Sequence, residues 1–338
     1  MTLRLGIAGV RHPHVDLLVT AALGRPDLVR IVALAEDDPA LRDRYARRLD
    51  PGVRLYADHR AMLAHERLDV AGVAAINAAR GDIVRDCLVA GLHVIADKPL
   101  CTTLDDLAAI EAAWRAGDRH LTVMLEKRGW AATLGLRALL RDGTLGVPAL
   151  AWASSPHRLR PATRPEWMFD RACYGGILND LAVHDIDLLL WFSGARAGEV
   201  QGLTGNRANR DRLGFEDVGQ VYLRADDGPL ATLEVHWYSP EAAPYHGDYR
   251  LVLTGTSGTA EVRWAQGELH VATHTAPPRL VDLVPPRAIV EDFFSALVSG
   301  TAPPIGTEEV LTASRVALLA QATANDGAWH RWTAVRPR

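Results

Sequence analysis

The residues best suited to chemistry lie in Tyr174-Gly175-Gly176-Ile177-Leu178-Asn179-Asp180-Leu181-Ala182-Val183-His184-Asp185-Ile186-Asp187. Two glycines read as an opening turn, the run behind them has helical apolar spacing, and Gly194 after Ser193 reads as the stop. On such a helix Asp180, His184 and Asp187 fall at i, i+4 and i+7 and share one face. A histidine beside a carboxylate is a proton-transfer unit. The carboxylate orients the imidazole and stabilises its charged form, and the imidazole titrates near neutral pH. The competing reading is a polar, solvated stripe. A second reactive group stands in Asp97-Lys98-Pro99. Of the 37 basic residues only Lys98 and Lys127 are lysines, so a lysine here supplies either an amine that can share a proton, which guanidinium cannot, or a trace of codon usage.

These groups need a scaffold, and the first third of the chain alternates strands with helices. Apolar strands are expected at 3–8, 28–35, 69–76, 92–96 and 120–125, and helices at 15–23, 39–49, 82–90 and 104–116, the last capped by Thr103. Strands buried on both faces and separated by helices make a parallel, doubly wound sheet, which binds ligand beyond the carboxyl ends of its strands. Lys98 closes the strand at 92–96 and so stands at that edge. Across its 338 residues the chain is long enough for two domains, and 48% hydrophobic with 23% charged residues is ordinary for a globular protein. A net charge of -4 offers no basic field for nucleic acid or anionic membrane. Three isolated cysteines imply neither a disulfide framework nor a zinc site, and without a long apolar run or signal segment the expected compartment is the cytoplasm.

The phosphate-binding loop should follow the first strand, in Gly6-Ile7-Ala8-Gly9-Val10-Arg11-His12-Pro13-His14. Gly9 sits where a dinucleotide fingerprint has its first glycine, but Arg11 and His14 take the second and third places. Arg11 must therefore point away or contact phosphate through its guanidinium, while the helix dipole and free amides at the helix start remain. Glu36 ends the second strand, followed by Asp37 and Asp38. A carboxylate there suits a ribose diol and repels a 2′-phosphate, favouring NAD over NADP, unless Glu36 only caps the next helix.

The order of the Gly9 loop, Glu36, Asp97-Lys98-Pro99, and Gly175-Gly176 with Asp180 and His184 resembles the Gfo/Idh/MocA oxidoreductases. The likeness runs over nearly the whole chain, including Gly91-Leu92-His93-Val94 and the Gly255-Thr256-Ser257-Gly258 turn. It implies a Rossmann domain at 1–122 and a substrate-binding domain at 123–338 built on a large, mostly antiparallel open sheet, with terminal helices able to pack back on the first domain. It implies hydride transfer between NAD(P) and a secondary hydroxyl of a sugar, polyol or related small molecule. Lys98, Asp180 and His184 become the catalytic residues, and Gly9, Val10, Arg11, His12, Glu36, Asn77, Arg80, Asp97 and Lys98 the cofactor site. Two departures stand out. The family's Glu-Lys-Pro is Asp97-Lys98-Pro99 here, and its Thr-Pro with a later His is replaced by Ile76-Asn77-Ala78-Ala79-Arg80.

Alternating runs at 149–155, 198–204, 218–224, 230–237, 249–254, 260–264 and 269–273 supply the second sheet. One face should pack on the Asp180 helix. The other needs a partner, which the resemblance makes a second copy, in a homodimer or homotetramer. Terminal helices are expected near 287–298 and 308–325. Arg158, Trp167 and Tyr174, in or beside an Arg- and aromatic-rich loop, and Arg128 after the strand at 120–125, are the substrate-binding candidates. Rival readings are an NAD-dependent glycosidase with transient oxidation, a sensor that binds dinucleotide or sugar without turnover, and a metal held by Asp180, His184 and a distant side chain such as His236. No dense ligand cluster accompanies that last set, and no metal is expected.

Overall fold

The computed structural model describes residues 2–338, which form two compact units. The first comprises residues 2–124, 288–311 and 337–338, and the second residues 125–287 and 312–336. The chain passes to the second unit after residue 124, where a boundary was expected at 122 with terminal helices free to pack back, and it returns to the first unit at 288–311. Residues 288–311 join the first unit because the helix Ile289–Ser299 inserts Phe293 and Phe294 into its core.

In the first unit β1 (Leu3–Ala8), β2 (Val29–Ala35), β3 (Arg54–Tyr56), β4 (Val70–Val73), β5 (His93–Ala96) and β6 (Leu121–Val123) form a parallel sheet in the order β3-β2-β1-β4-β5-β6. β4 is buried along its whole length, as a strand covered on both faces must be. Gly72 lets the helix Val15–Gly24 approach β4 closely, since a Cβ there would lie 2.2 Å from Leu18 Cδ2. Sequence periodicity misses β3 and the helix His59–His65, because three largely exposed residues and a seven-residue helix carry little apolar repeat.

The second unit is built on β7 (Pro148–Pro156), β8 (Ala197–Gly205), β9 (Val218–Ala225), β10 (Leu230–His236), β11 (Arg250–Gly255), β12 (Gly258–Arg263), β13 (Glu268–Thr273), β14 (Arg279–Leu280) and β15 (His330–Thr333). Their order is β14-β13-β12-β11-β7-β10-β9-β8-β15, antiparallel except for β7 beside β10. Period-two alternation buries Val221, Leu233, Val235, Leu251, Leu253 and Val262 on one face, against which the helices Ala131–Arg141 and Val183–Ser193 pack. The opposite face exposes Leu150, Leu203 and Leu230. No helix among the described residues is long and apolar enough to cross a membrane.

Candidate functional site

The loop after β1 and the strand ends beside it form a cleft of about 460 Å³ lined by Gly9, Arg11, Glu36, Asp37, Ala75 and Ile76 among others. Gly9 has φ +78°, and a Cβ there would lie 2.6 Å from the Cα of Ala75, so only glycine fits this turn. Glu36 is buried, and it does not cap the following helix. Asp38 does, accepting from the amides of Ala40 and Leu41. Instead Glu36 Oε2 accepts from Val10 N–H at 2.8 Å, and Oε1 accepts from Arg11 Nε at 3.1 Å and Asp38 N–H at 3.0 Å. Arg11 turns toward these carboxylates and reaches Asp37 Oδ1 at 2.7 Å. Burial pushes the Glu36 carboxyl up from its ordinary range, while hydrogen bonding to Glu36 and then to Arg11 holds Asp37 down at about 2.

The amides expected to be free at the helix start are not. Val15, Asp16 and Leu17 donate to the carbonyls of His12, Pro13 and His14 in tight turns. What this loop offers an anion is therefore the helix dipole and the Arg11 guanidinium rather than those N–H groups. A glycine-shaped turn beside a cleft with a buried carboxylate fits the adenosine half of a dinucleotide.

Asp97 is wholly buried and organises the other end of the loop. Its Oδ2 meets His12 Nδ1 at 2.7 Å and Arg80 Nη2 at 3.4 Å, and its Oδ1 meets His14 Nδ1 at 2.9 Å and the Lys98 N–H at 2.8 Å. Arg80, also fully buried, donates further to the carbonyls of Ala75 (2.8 Å) and Pro99 (2.5 Å). The departures from the family pattern therefore meet at one point. The short Asp97 is reached by the long Arg80 and by two imidazoles from the altered loop. The 2.7 Å contact assigns the His12 Nδ1 proton to Asp97, so the 3.3 Å approach of the His14 N–H to the same atom is the weaker alternative. Burial above all pushes His12 down to about 4, so it is neutral at pH 7. Burial alone would raise Asp97, but His12, His14 and Arg80 together hold it well below the usual range. His12, His14 and Asp97 offer ligand atoms within 4.8 Å of one another, yet Arg80 already balances the carboxylate. Lys98 is buried, with a cis peptide bond to Pro99, and Asn77 is buried at the start of the helix Asn77–Val89.

In the second unit Gly175 and Gly176 have φ of +87° and +109°, and Gly194 ends the helix in the left-handed region. The first turn is a π turn, Leu178–Ala182, followed by the α-helix Val183–Ser193. Asp180, His184 and Asp187 are all buried, which rules out a solvated stripe. Asp180 Oδ2 accepts from the Tyr174 hydroxyl at 2.6 Å. Burial and Asp180 push that hydroxyl well above its ordinary range, so it stays a donor. Asp187 takes a bidentate pair from Arg128 at 2.7 and 2.6 Å, with the guanidinium 4.9 Å from the centroid of the Trp191 ring.

Two substrate-binding expectations thereby change character. Tyr174 and Arg128 are buried, with hydroxyl and guanidinium committed to Asp180 and Asp187. Arg158 donates to the carbonyls of Pro240 and Ala243, and Trp167 is half-buried in a short turn. The second lysine anchors the helix. Lys127 Nζ donates to Asp185 Oδ1 and Ser155 Oγ, both at 2.6 Å, and Ser155 Oγ donates to Asp185 Oδ2 at 2.6 Å. Sequence spacing missed this set and the His12–Asp97–His14 cluster. Only the His-x-His step in the loop was a legible hint.

Residues 4–125 match the description "Oxidoreductase family, NAD-binding Rossmann fold", and residues 133–261 match "GFO/IDH/MocA C-terminal domain". The chain is 25% identical to inositol 2-dehydrogenase 2 of Paenarthrobacter aurescens, covering 97% of this chain and 98% of the relative. It is 28% identical to D-apiose dehydrogenase of Paraburkholderia graminis over 78% of this chain and 70% of that one. A solved structure of levoglucosan dehydrogenase in complex with NADH superposes with a TM-score of 0.86 at 18% identity, covering 99% of this chain and 100% of that one, a likeness of fold.

Proposed function

Because the chain belongs to the Gfo/Idh/MocA family of oxidoreductases, we propose that it transfers a hydride reversibly between a secondary hydroxyl of a sugar or polyol and a nicotinamide cofactor, NAD in preference to NADP. The bound nicotinamide supplies the hydride acceptor. Gly9, Val10, Arg11, His12 and Glu36 would hold its adenosine side, and Asn77, Arg80, Asp97 and Lys98 its other end. His184 takes the hydroxyl proton, Asp180 supports the imidazolium electrostatically, and Lys98 hydrogen-bonds the reacting oxygen. Asp97 acts through Lys98 by fixing its backbone N–H. The inositol and apiose dehydrogenase relatives support a polyhydroxyl substrate.

The observation that carries this reading is that Asp180 and His184, expected one helical turn apart, are both withdrawn from water, with Asp180 already receiving a tyrosine hydroxyl. The Tyr174 hydroxyl fixes the orientation of the Asp180 carboxyl, which supports its role in orienting the imidazole. The test is growth of reduced-nicotinamide absorbance with purified protein, NAD or NADP, and a panel of inositols, pentoses, hexoses and sugar acids. Replacing His184 by Ala should lower kcat by about 10²–10⁴-fold while NAD affinity stays near wild type. Retained turnover removes its role, and glycoside cleavage without net cofactor reduction selects the hydrolase instead. The same reading takes the exposed sheet face as the contact between copies of the chain and the cytoplasm as its compartment.

A further inference from the structure

Among the residues lining the adenosine-side cleft are carboxylates, from Glu36, Asp37, Asp58 and Asp82, and cations, from Arg11, Arg60 and His59. Arg60 and His59 are both engaged by Asp86, at 2.9 and 3.0 Å. Arg60, though 65% exposed, is bound to that one carboxylate on the helix Asn77–Val89. Arg11 stands where the loop would have its second glycine, and it alone of these cations pairs with both carboxylates at the end of β2, Glu36 and Asp37.

The lone pairs of Glu36 separate the roles of the two carboxylates. Its Oε1 already accepts two hydrogen bonds and its Oε2 one, so most of its acceptor capacity is spent within the chain. Its side chain is only 1% exposed, and two backbone amides and one guanidinium offset its charge. Asp37, by contrast, is 77% exposed and meets the cleft as an ionised group paired to one arm of Arg11. Repulsion of a dianionic 2′-phosphate therefore falls mainly on Asp37, and the group Asp37 occupies is the one that would otherwise bind that phosphate.

We propose that nucleotide selection in this protein is set by the Arg11–Asp37 pair: Arg11 is a latent 2′-phosphate site, and Asp37 blocks it. The inference rests on the nicotinamide-cofactor reading above and goes beyond it by moving discrimination from Glu36, the carboxylate at the strand end, to its exposed neighbour. The chemistry is ordinary. Guanidinium can give a phosphate dianion two parallel hydrogen bonds once Asp37 no longer holds one of its arms and no longer places a negative charge beside that phosphate.

The test is equilibrium binding of NADH and NADPH to the purified full chain, followed by tryptophan fluorescence quenching, with no turnover required. Asp37→Asn should raise NADPH affinity at least about fivefold and change NADH affinity less than about twofold, with the NADPH gain shrinking as salt is added. Arg11→Gln in the Asp37→Asn background should abolish that gain. NADH binding that persists with no NADPH gain in Asp37→Asn, or a gain that survives loss of Arg11, overturns this assignment and leaves the proposed function standing. Absence of binding by either nucleotide in the wild-type chain overturns both.

Discussion

At the scale of single residues, His12 ties the geometry of the site to pH. In the folded chain its imidazole is pushed down to about 4, mainly by burial, against 6.5 for the free side chain. The unfolded chain therefore takes up a proton in a range where the folded chain does not. The stabilisation this represents is fully present above pH 6.5 and is lost as pH falls from 6.5 toward 4, at most on the order of 3 kcal/mol. His93, also pushed down to about 4 by burial, acts in the same window. Asp97 has the complementary behaviour. Held well below its ordinary range, it stays ionised throughout that window, so its bonds to Arg80 and the Lys98 amide persist. Urea unfolding midpoints should fall between pH 7 and 4.5 in the wild type, and His12→Gln should flatten that slope. An unchanged slope in the variant would assign the loss to other groups.

At the scale of elements, the helix that carries Asp180 and His184 is held by ion pairs rather than by an apolar stripe alone. Asp185 and Asp187 meet Lys127 and Arg128 from the adjoining turn Glu126–Gly129, and Lys127 also lies 5.0 Å and 4.8 Å from the Tyr249 and Trp264 ring centroids. Such pairs contribute little relative to a well-packed apolar substitute, yet removing one partner strands a buried charge. Lys127→Ala should therefore destabilise the fold by about 3–5 kcal/mol, read as a lower urea midpoint, whereas Lys127→Ala with Asp185→Asn should recover a large part of the loss. A single variant as stable as the wild type would show that Asp185 finds another partner. The π turn Leu178–Ala182 belongs to this scale too. It carries Asp180, and the positive-φ glycines 175 and 176 turn the chain between it and the short helix Arg171–Tyr174, whose last residue donates its hydroxyl to Asp180.

At the scale of the whole molecule, the face of the open sheet opposite its helices is largely polar but holds an apolar depression. This shallow depression of about 550 Å³ across β7, β9, β10 and β11 is lined by Leu150, Trp152, Tyr222, Leu230 and Val252, with Trp329 beside them, and Leu150 and Leu230 are 54% and 53% exposed. A contiguous patch of this kind is what an interface between copies requires. Sedimentation should show an oligomer, and Leu150→Glu with Leu230→Glu should yield monomers without loss of secondary structure. A monomeric wild type at micromolar concentration would remove the proposal.

Much of this architecture is dictated locally. The β1, β2, β4, β5 and β6 runs, the Thr103 cap, the left-handed glycines at 175, 176 and 194 and the alternating strands of the second sheet follow from periodicity and turn chemistry, which act over a few residues. The short β3, β14 and β15 leave too little pattern to read, because pairing with a neighbouring strand holds them in place. The residue types proposed for the chemistry, Lys98, Asp180 and His184, are read from motifs in the same local way. Their surroundings are not. Asp97 meets His12 across 85 positions of chain and Arg80 across 17, and Lys127 meets Asp185 across 58, so no spacing rule could pair them. Which polar groups are buried, and which of them neutralise one another, is decided by long-range packing, since desolvation exists only once the sheet and its helices have closed over those atoms.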